Sequence, residues 1–379
     1  MKKIAVLGGG LVGRAMALDL AAGKEFGVVV ADIRDEVLNS FEPSSGVETV
    51  RLDVTDDQAL SALLGKVDFA LNAVPGSIGY RTLQKIISSG TSAIDIAFFP
   101  EDLFDLDEPA RANGVTVVSD IGVAPGMSHV LATDAAKSMK EVNEVTIYVG
   151  GLPRTREWPW EYKAVFSPSD VIEEYTRPAR VVRNGAEMVV PPLSERERIF
   201  FKGIGTLEAF ISDGLRSLTR TLKANRMTEK TLRYPGHAEL MQILDSGGFF
   251  GTQPIETSAG KVVPLEVTSR LLFPAWQLGP DDEDITLMRI IVSGISDSGK
   301  VTVTWELTDY KDARSGIHSM ARTTGYTATM AMRLLASGKL NYPGVHPPEF
   351  LASDPEWVSF LLNGLADRNV VYQKTIQRN

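Results

Sequence analysis

Lys3-Ile-Ala-Val-Leu-Gly8-Gly9-Gly10-Leu11-Val12-Gly13 opens the chain, an apolar helical stretch follows, and Val28-Val-Val-Ala-Asp32 closes the next apolar run. A G-x-G-x-x-G spacing between a short buried strand and a helix, with an acidic residue about twenty positions on, is the sequence form of a dinucleotide clamp. Three glycines alone would make only a tight turn. In this context Gly8 permits the sharp turn, Gly10 removes the Cβ where a pyrophosphate approaches, and Gly13 lets the helix pack close to the first strand. The amino end of that helix, with Leu11 and Val12 in its first turn, offers unpaired N–H groups and the positive end of its dipole to the phosphates.

Asp32 is expected to accept hydrogen bonds from the adenosine ribose, and its charge to repel a 2′-phosphate, so NAD is expected in preference to NADP. Arg34 works against that preference, because a guanidinium serves a phosphate or stacks on adenine. Further strands, near 47–52 and 67–72, end at Asp53 and at Asn72-Ala-Val74-Pro75. In a doubly wound sheet that carboxyl edge faces the cofactor, so these four residues join the expected cofactor contacts.

The chain has 379 residues, enough for two domains with separate cores. Its 44% apolar and 23% charged content is that of an ordinary globular protein. A net charge of -9 without a basic block argues against a nucleic-acid surface, which needs clustered Lys and Arg. Met1-Lys2-Lys3 and the apolar run after it imitate a signal peptide, but Arg14 and Asp19 interrupt the run, which reads as strand one. With no stretch of membrane-spanning length, a cytoplasmic location without membrane partners is expected. Cysteine is absent, which removes a thiol nucleophile and thiolate zinc ligands. His129, His237, His318 and His346 have no metal spacing, so no metal is expected.

From residue 1 to about 124, β-rich runs near 3–8, 27–32, 47–52, 67–72, 92–96 and 115–119 alternate with helical stretches, as in a parallel sheet with crossover helices. Thr55 is expected to cap a helix over 56–64 that Gly65 ends. Beyond Pro125-Gly126 a helix near 127–139 leads into longer β-like runs at 142–150, 180–190, 229–234, 285–294 and 300–309, the last two joined by a hairpin. The residues from 320 to 337 read as a long helix, and 342–355 as an ordered loop. The expected fold is α/β: a Rossmann doubly wound parallel sheet over 1–124, with 320–379 packing back on it, and an α+β domain over 125–319 built on a largely antiparallel sheet.

Several stretches resemble the saccharopine dehydrogenase (glutamate-forming) and lysine 6-dehydrogenase family, most closely the lysine 6-dehydrogenases. They are Asp120-Ile-Gly-Val-Ala-Pro-Gly126, Tyr148-Val-Gly-Gly-Leu-Pro153, Glu161-Tyr162, Tyr175 through Asn184-Gly185, Gly205-Thr-Leu-Glu-Ala-Phe210, Thr231-Leu-Arg-Tyr-Pro-Gly-His237 and Met320-Ala-Arg-Thr-Thr-Gly-Tyr326. The resemblance implies an NAD(P)-dependent oxidoreductase acting on a carbon–nitrogen bond: oxidative deamination of the lysine side-chain amine through an imine, or the same hydride step on a secondary amine as in a saccharopine-type or carboxyalkyl-polyamine dehydrogenase. It departs from the lysine-acting pattern after Asp95, where a glycine pair gives way to Ala97-Phe98-Phe99-Pro100. Two aromatics at that edge are expected to reshape the substrate pocket.

Amine oxidation needs a proton acceptor and a grip on the substrate. His237, ending a strand in a turn, is the first candidate acceptor, and a helix-capping role is the alternative. Tyr162 relays a proton and Glu161 neutralises the ammonium, or the pair anchors an aromatic cluster with Trp158 and Trp160. Arg233 is placed to hold a substrate carboxylate bidentately, with Arg322 and Thr323 a second carboxylate site, and Asp95 and Asp120 contact the amine or cap local structure. The expected partners are a small amino-acid or amine substrate and a second copy of the chain in a homodimer or higher homo-oligomer. A cofactor-binding sensor or scaffold without turnover is the alternative of another class.

Overall fold

The computed structural model describes residues 1–258 and 260–378. The chain forms two compact units, Met1–Asp134 with Met320–Val371, and Ala135–Ser319 with the final strand.

In the first unit, six strands follow the sequence expectation: β1 (Lys2–Leu7), β2 (Phe26–Asp32), β3 (Val47–Arg51), β4 (Phe69–Asn72), β5 (Ser92–Asp95) and β6 (Thr116–Val118). All pair in parallel. A seventh strand, β17 in chain order (Gly344–His346), joins them parallel to β6. It lies inside the segment expected to be loop, and its three residues are too few to show a period. The order is β17-β6-β5-β4-β1-β2-β3, so the strand direction of travel reverses between β1 and β4. Doubly wound sheets bind ligands at the carboxyl ends of the strands beside such a reversal. Ile4, Ala5, Val6 and Leu7 are all fully buried, as a central parallel strand covered on both faces requires.

The second unit contains β7 (Glu141–Pro153), β8 (Ala179–Arg183), β9 (Ala186–Val190), β10 (Glu197–Phe201), β11 (Gly205–Ile211), β12 (Arg226–Arg233), the small hairpin β13 (Ile255–Thr257) and β14 (Gly260–Val262), β15 (Asp284–Ser296), β16 (Gly299–Tyr310) and β18 (Tyr372–Arg378). The main sheet runs β10-β11-β12-β7-β15-β16-β18 and is antiparallel except where β12 meets β7. The single run expected over 180–190 is a hairpin, because Asn184 and Gly185 both take positive φ (52° and 76°), the requirement of a two-residue turn. The strand β10 escapes sequence reading because it is an edge strand with mostly exposed charged and aromatic residues.

Two local expectations are corrected. The helix Asp57–Leu64 is capped by Asp56, whose carboxylate accepts from the Gln58 and Ala59 N–H groups at 3.0 and 3.1 Å, while Thr55 instead donates its hydroxyl to Asp53 at 2.7 Å. Gly65 ends that helix in ordinary right-handed geometry. The segment 320–379 does not all return to the nucleotide unit, since β18 hydrogen-bonds along β16 in the second sheet.

Besides β17, one nearly buried carboxylate ties 320–371 to the helix after the glycine loop. Asp19, on the helix Leu11–Ala22, accepts from Arg333 Nη1 at 2.7 Å, Thr329 Oγ1 at 2.6 Å and Arg368 Nε at 2.5 Å, with 9% of its side chain exposed. Among the described residues no helix is long and apolar enough to cross a membrane. Removing the charge from a buried ion pair strands its partners, so Asp19→Asn is expected to destabilise this unit by about 3 kcal/mol. Urea unfolding and limited proteolysis within 320–371 check this, and an unchanged midpoint would refute it.

Candidate active site

The glycine loop is built as a dinucleotide cradle. Gly8 has φ +94°, and a Cβ there would stand 2.5 Å from the Ala73 carbonyl oxygen. A Cβ on Gly13 would stand 1.9 Å from the Gly8 carbonyl oxygen, so helix and loop touch backbone to backbone. At Gly10 the nearest atom to a Cβ would be Arg34 Nη2 at 3.7 Å, which leaves the approach to the helix amino end open. Gly10 caps the helix without a side-chain bond, so Leu11 and Val12 present a first turn with N–H groups to spare for an anion. The residues fit a dinucleotide.

Asp32 sits differently from the expected open ribose acceptor. It is buried; its Oδ2 accepts from the Gly9 N–H at 2.8 Å and Arg34 Nη2 at 3.2 Å, and its Oδ1 accepts from Arg34 N and Nε at 2.9 and 3.1 Å. Burial pushes this carboxyl up, but the bonds from Arg34 and Gly9 outweigh burial and hold it below its ordinary value. The negative charge that was to repel a 2′-phosphate is therefore already paired with a half-exposed guanidinium. Asp53 is exposed in the turn after β3, Val74 is buried and Pro75 exposed at the start of the helix Gly76–Ser88.

At the carboxyl edge of β4, β5 and β6, Asn72 Nδ2 donates to Asp95 Oδ1 at 2.7 Å and to the Gly79 carbonyl at 3.1 Å. Asp95 also accepts from Ser119 Oγ at 2.5 Å and the Ala97 N–H at 3.3 Å. All three side chains are fully buried, and the Asn72 Oδ1 meets no donor. Burial, reinforced by the charge of Asp120 and countered by the Ser119 hydrogen bond, pushes Asp95 up to about 7. Asp120, at φ +59°, is buried beside it. Asp95 thus ties three strand ends together. Phe99 is a core residue, edge-on to Tyr80 at 5.4 Å, so of the two aromatics expected to reshape the pocket only the half-buried Phe98 is open to that role. Arg322 and Thr323 are buried in the helix Ser319–Ala336, where Arg322 Nη2 donates to the Arg368 carbonyl at 2.7 Å and Thr323 Oγ1 to the Met320 carbonyl at 3.3 Å.

In the second unit the structure gathers Arg233, His237 and Tyr162, together with Glu174, Tyr175 and Trp276. Arg233 ends a strand whose last seven residues are all buried, and it is 2% exposed. Its Nε donates to Tyr175 Oη at 3.1 Å, its Nη1 to the Leu232 carbonyl at 2.9 Å, and its Nη2 to Glu174. The His237 Nδ1 lies 2.8 Å from the Trp160 carbonyl, which can only accept, so Nδ1 carries the proton. The Nε2 therefore accepts from Tyr175 Oη at 2.9 Å. Burial first, then the charge of Arg233, pulls His237 down to about 3, so the ring is neutral. Tyr162 packs against both, its ring tilted 5.0 Å from the His237 ring centroid and with the Arg233 guanidinium 4.5 Å from its own. Its sealed hydroxyl meets no partner of hydrogen-bonding geometry. Glu161 stays out of this group, paired with Arg156 at 2.5 Å.

Sequence reading missed Glu174, Tyr175 and Ser119. A partial signal existed for the first two: a buried strand end carrying Arg calls for a buried counter-charge, and Val171, Ile172 and Tyr175 share the buried face of a helix that carries Glu173 and Glu174. Among the described residues no group of three His, Asp or Glu is arranged to hold a metal.

The Asp95 geometry sets a pH dependence. Its folded pKa of about 7 exceeds the ordinary 3.8, so the native state holds this proton more tightly than the unfolded chain. Its contribution is full below pH 3.8 and declines as pH rises to about 7. Asp95→Asn, which mimics the protonated acid, is expected to remove that decline from urea midpoints measured across pH 4–8; an unchanged slope would refute it.

Residues 4–118 match the family model of the saccharopine dehydrogenase NADP binding domain, and residues 122–371 that of the saccharopine dehydrogenase C-terminal domain. Bovine mitochondrial alpha-aminoadipic semialdehyde synthase is 26% identical over 319 residues, covering 80% of this chain and 32% of the relative. The Saccharomyces cerevisiae saccharopine dehydrogenase [NADP(+), L-glutamate-forming] is 26% identical over 260 residues, 64% of this chain and 57% of the relative. The chain thus spans about a third to three fifths of the length of these relatives. The apo structure of the Saccharomyces cerevisiae enzyme superposes with a TM-score of 0.80 at 20% identity over 100% of both chains. The homospermidine synthase of Legionella pneumophila in complex with NAD gives 0.67 at 13% identity over 99% of this chain and 91% of that one. At these identities the structural likeness establishes the fold, and the two family matches, which together span nearly the whole chain, establish that it belongs to the saccharopine dehydrogenase family.

Proposed function

We propose that the chain is an NAD(P)-dependent oxidoreductase that acts on the carbon–nitrogen bond at the side-chain nitrogen of L-lysine, free as a primary amine or alkylated as in saccharopine. The observation that carries this reading is the buried Arg233 with Tyr162, Tyr175 and His237 around it, a cationic grip beside a neutral proton chain. The lysine 6-dehydrogenase-like stretches support the primary amine; the names of the curated relatives support saccharopine with NADP.

When bound, the dinucleotide supplies the hydride acceptor. Arg233 holds a substrate carboxylate through charge-assisted bonds. The amine nitrogen gives its proton to Tyr175 Oη as Tyr175 passes its own to His237 Nε2, and the resulting imidazolium keeps both donors satisfied, by the Trp160 carbonyl and by Tyr175. His237 at about 3 is a weak resting base, so its part is to orient and accept from Tyr175 and not to titrate near neutrality. The imine left on the substrate then takes up water.

For the cofactor, the half-exposed Arg34 guanidinium and the already paired charge of Asp32 support tolerance of a 2′-phosphate. Arg34→Ala is expected to raise KM for NADP at least tenfold and to raise KM for NAD much less; equal effects on both would refute this assignment. His237→Gln is expected to lower kcat by about 100-fold while leaving dinucleotide affinity and the neutral-range shape of the pH profile unchanged.

The deciding experiment follows the reduced-nicotinamide absorbance with purified protein, NAD or NADP, and L-lysine or saccharopine at alkaline pH. Turnover with either amine supports the reading. Tight dinucleotide binding without turnover on these or longer secondary amines would replace it with a sensor.

A further inference from the structure

The Arg233 pair is asymmetric in its access to water. The arginine side chain is 2% exposed, whereas that of Glu174 is 20% exposed, so the glutamate covers the guanidinium and carries the solvent-facing side of the pair. Two of the three guanidinium nitrogens are committed to Tyr175 and to the Leu232 carbonyl. Only the Nη2 bond ends on a side chain that can leave without disturbing the strand or the His237 chain.

A second feature is independent of the ion pair. The Tyr162 hydroxyl, on a side chain 2% exposed and lying under the same guanidinium, has no acceptor. A buried hydroxyl with no acceptor is destabilising, and Glu174 does not relieve it. The site therefore offers one more donor than the chain's own carboxylate uses. An incoming carboxylate has two oxygens, enough to accept from both Arg233 and Tyr162.

We propose that Glu174 is an internal stand-in for the substrate carboxylate, which occupies Arg233 in the empty protein and is displaced when a carboxylate ligand enters. This rests on the reading of Arg233 as the substrate grip. The exchange has a consequence for protons. Burial already pushes the Glu174 carboxyl up and Arg233 pulls it back, so a Glu174 that loses Arg233 while still enclosed takes up a proton as the ligand binds. The displacement also makes carboxylate binding selective, because a ligand must replace a bond the protein already has, and only one that also satisfies Tyr162 gains by doing so.

The probe is glutarate, a dicarboxylate without a reactive nitrogen, measured with the full chain by calorimetry in two buffers of different ionisation enthalpy and by thermal shift. The wild type is expected to bind with net proton uptake. Glu174→Gln is expected to bind at least tenfold more tightly, to lose the proton uptake, and to melt lower alone yet recover with glutarate. Glu174→Asp, which keeps the charge but shortens its reach, is expected to fall between and carries the test should the glutamine variant not fold. Binding that disappears in Arg233→Gln but is unchanged or weaker in both Glu174 variants overturns the stand-in while keeping the grip. Glutarate binding in none of the proteins, or undiminished in Arg233→Gln, overturns the grip and the stand-in together.

Discussion

A guanidinium with almost no water around it must find its acceptors in the chain, and in the second unit that need arranges everything near Arg233. Its Nε orients the Tyr175 hydroxyl, the hydroxyl orients His237, and the Trp160 carbonyl completes the line by choosing the imidazole tautomer. Each bond leaves the next group one sensible role, so the order of donors and acceptors follows from Arg233 being an obligate donor at one end and a carbonyl an obligate acceptor at the other. Tyr162 and Trp276 wall the group with aromatic surface, and the resulting burial keeps His237 neutral.

The first unit obeys a different constraint, the distance between backbones. Because no Cβ fits at Gly8 or Gly13, the helix Leu11–Ala22 meets the loop at contact, and its uncapped N–H groups gather where the strand order reverses. Asp32 then closes the loop from behind through the Gly9 N–H. The same carboxylate is paired with Arg34, which couples the loop's shape to a half-exposed guanidinium. A buried carboxyl at the far side of the edge, Asp95, holds β4 to β6 through Asn72 and Ser119.

Legibility differed sharply between the two units. The parallel sheet showed in the sequence because its strands are apolar runs punctuated by glycine turns and helices, a pattern with a local physical cause. The hairpin at Asn184-Gly185 was hidden within a run of suitable length, and β10, β17 and β18 were hidden because short or exposed edge strands have no continuous buried face. Of the candidate residues, Arg233, His237 and Tyr162 do come together, but Glu161 pairs with Arg156, and Asp95, Arg322 and Thr323 are occupied inside the first unit. The missed groups, Glu174 and Tyr175, are contributed by a helix remote in sequence from Arg233; a buried Arg calls for a counter-charge, but nothing local says which segment supplies it.

By itself the sequence determined the dinucleotide loop and the doubly wound sheet, because turn glycines, strand runs and caps act over a few residues and leave their mark there. Tertiary structure alone decided which charges are paired: that Asp32 is bound to Arg34 and Gly9, that Arg233 is bound to Glu174, and that His237 is neutral. Those outcomes depend on burial and on partners brought from distant segments, and the free energy of a charge is set by its surroundings and not by its neighbours in the chain.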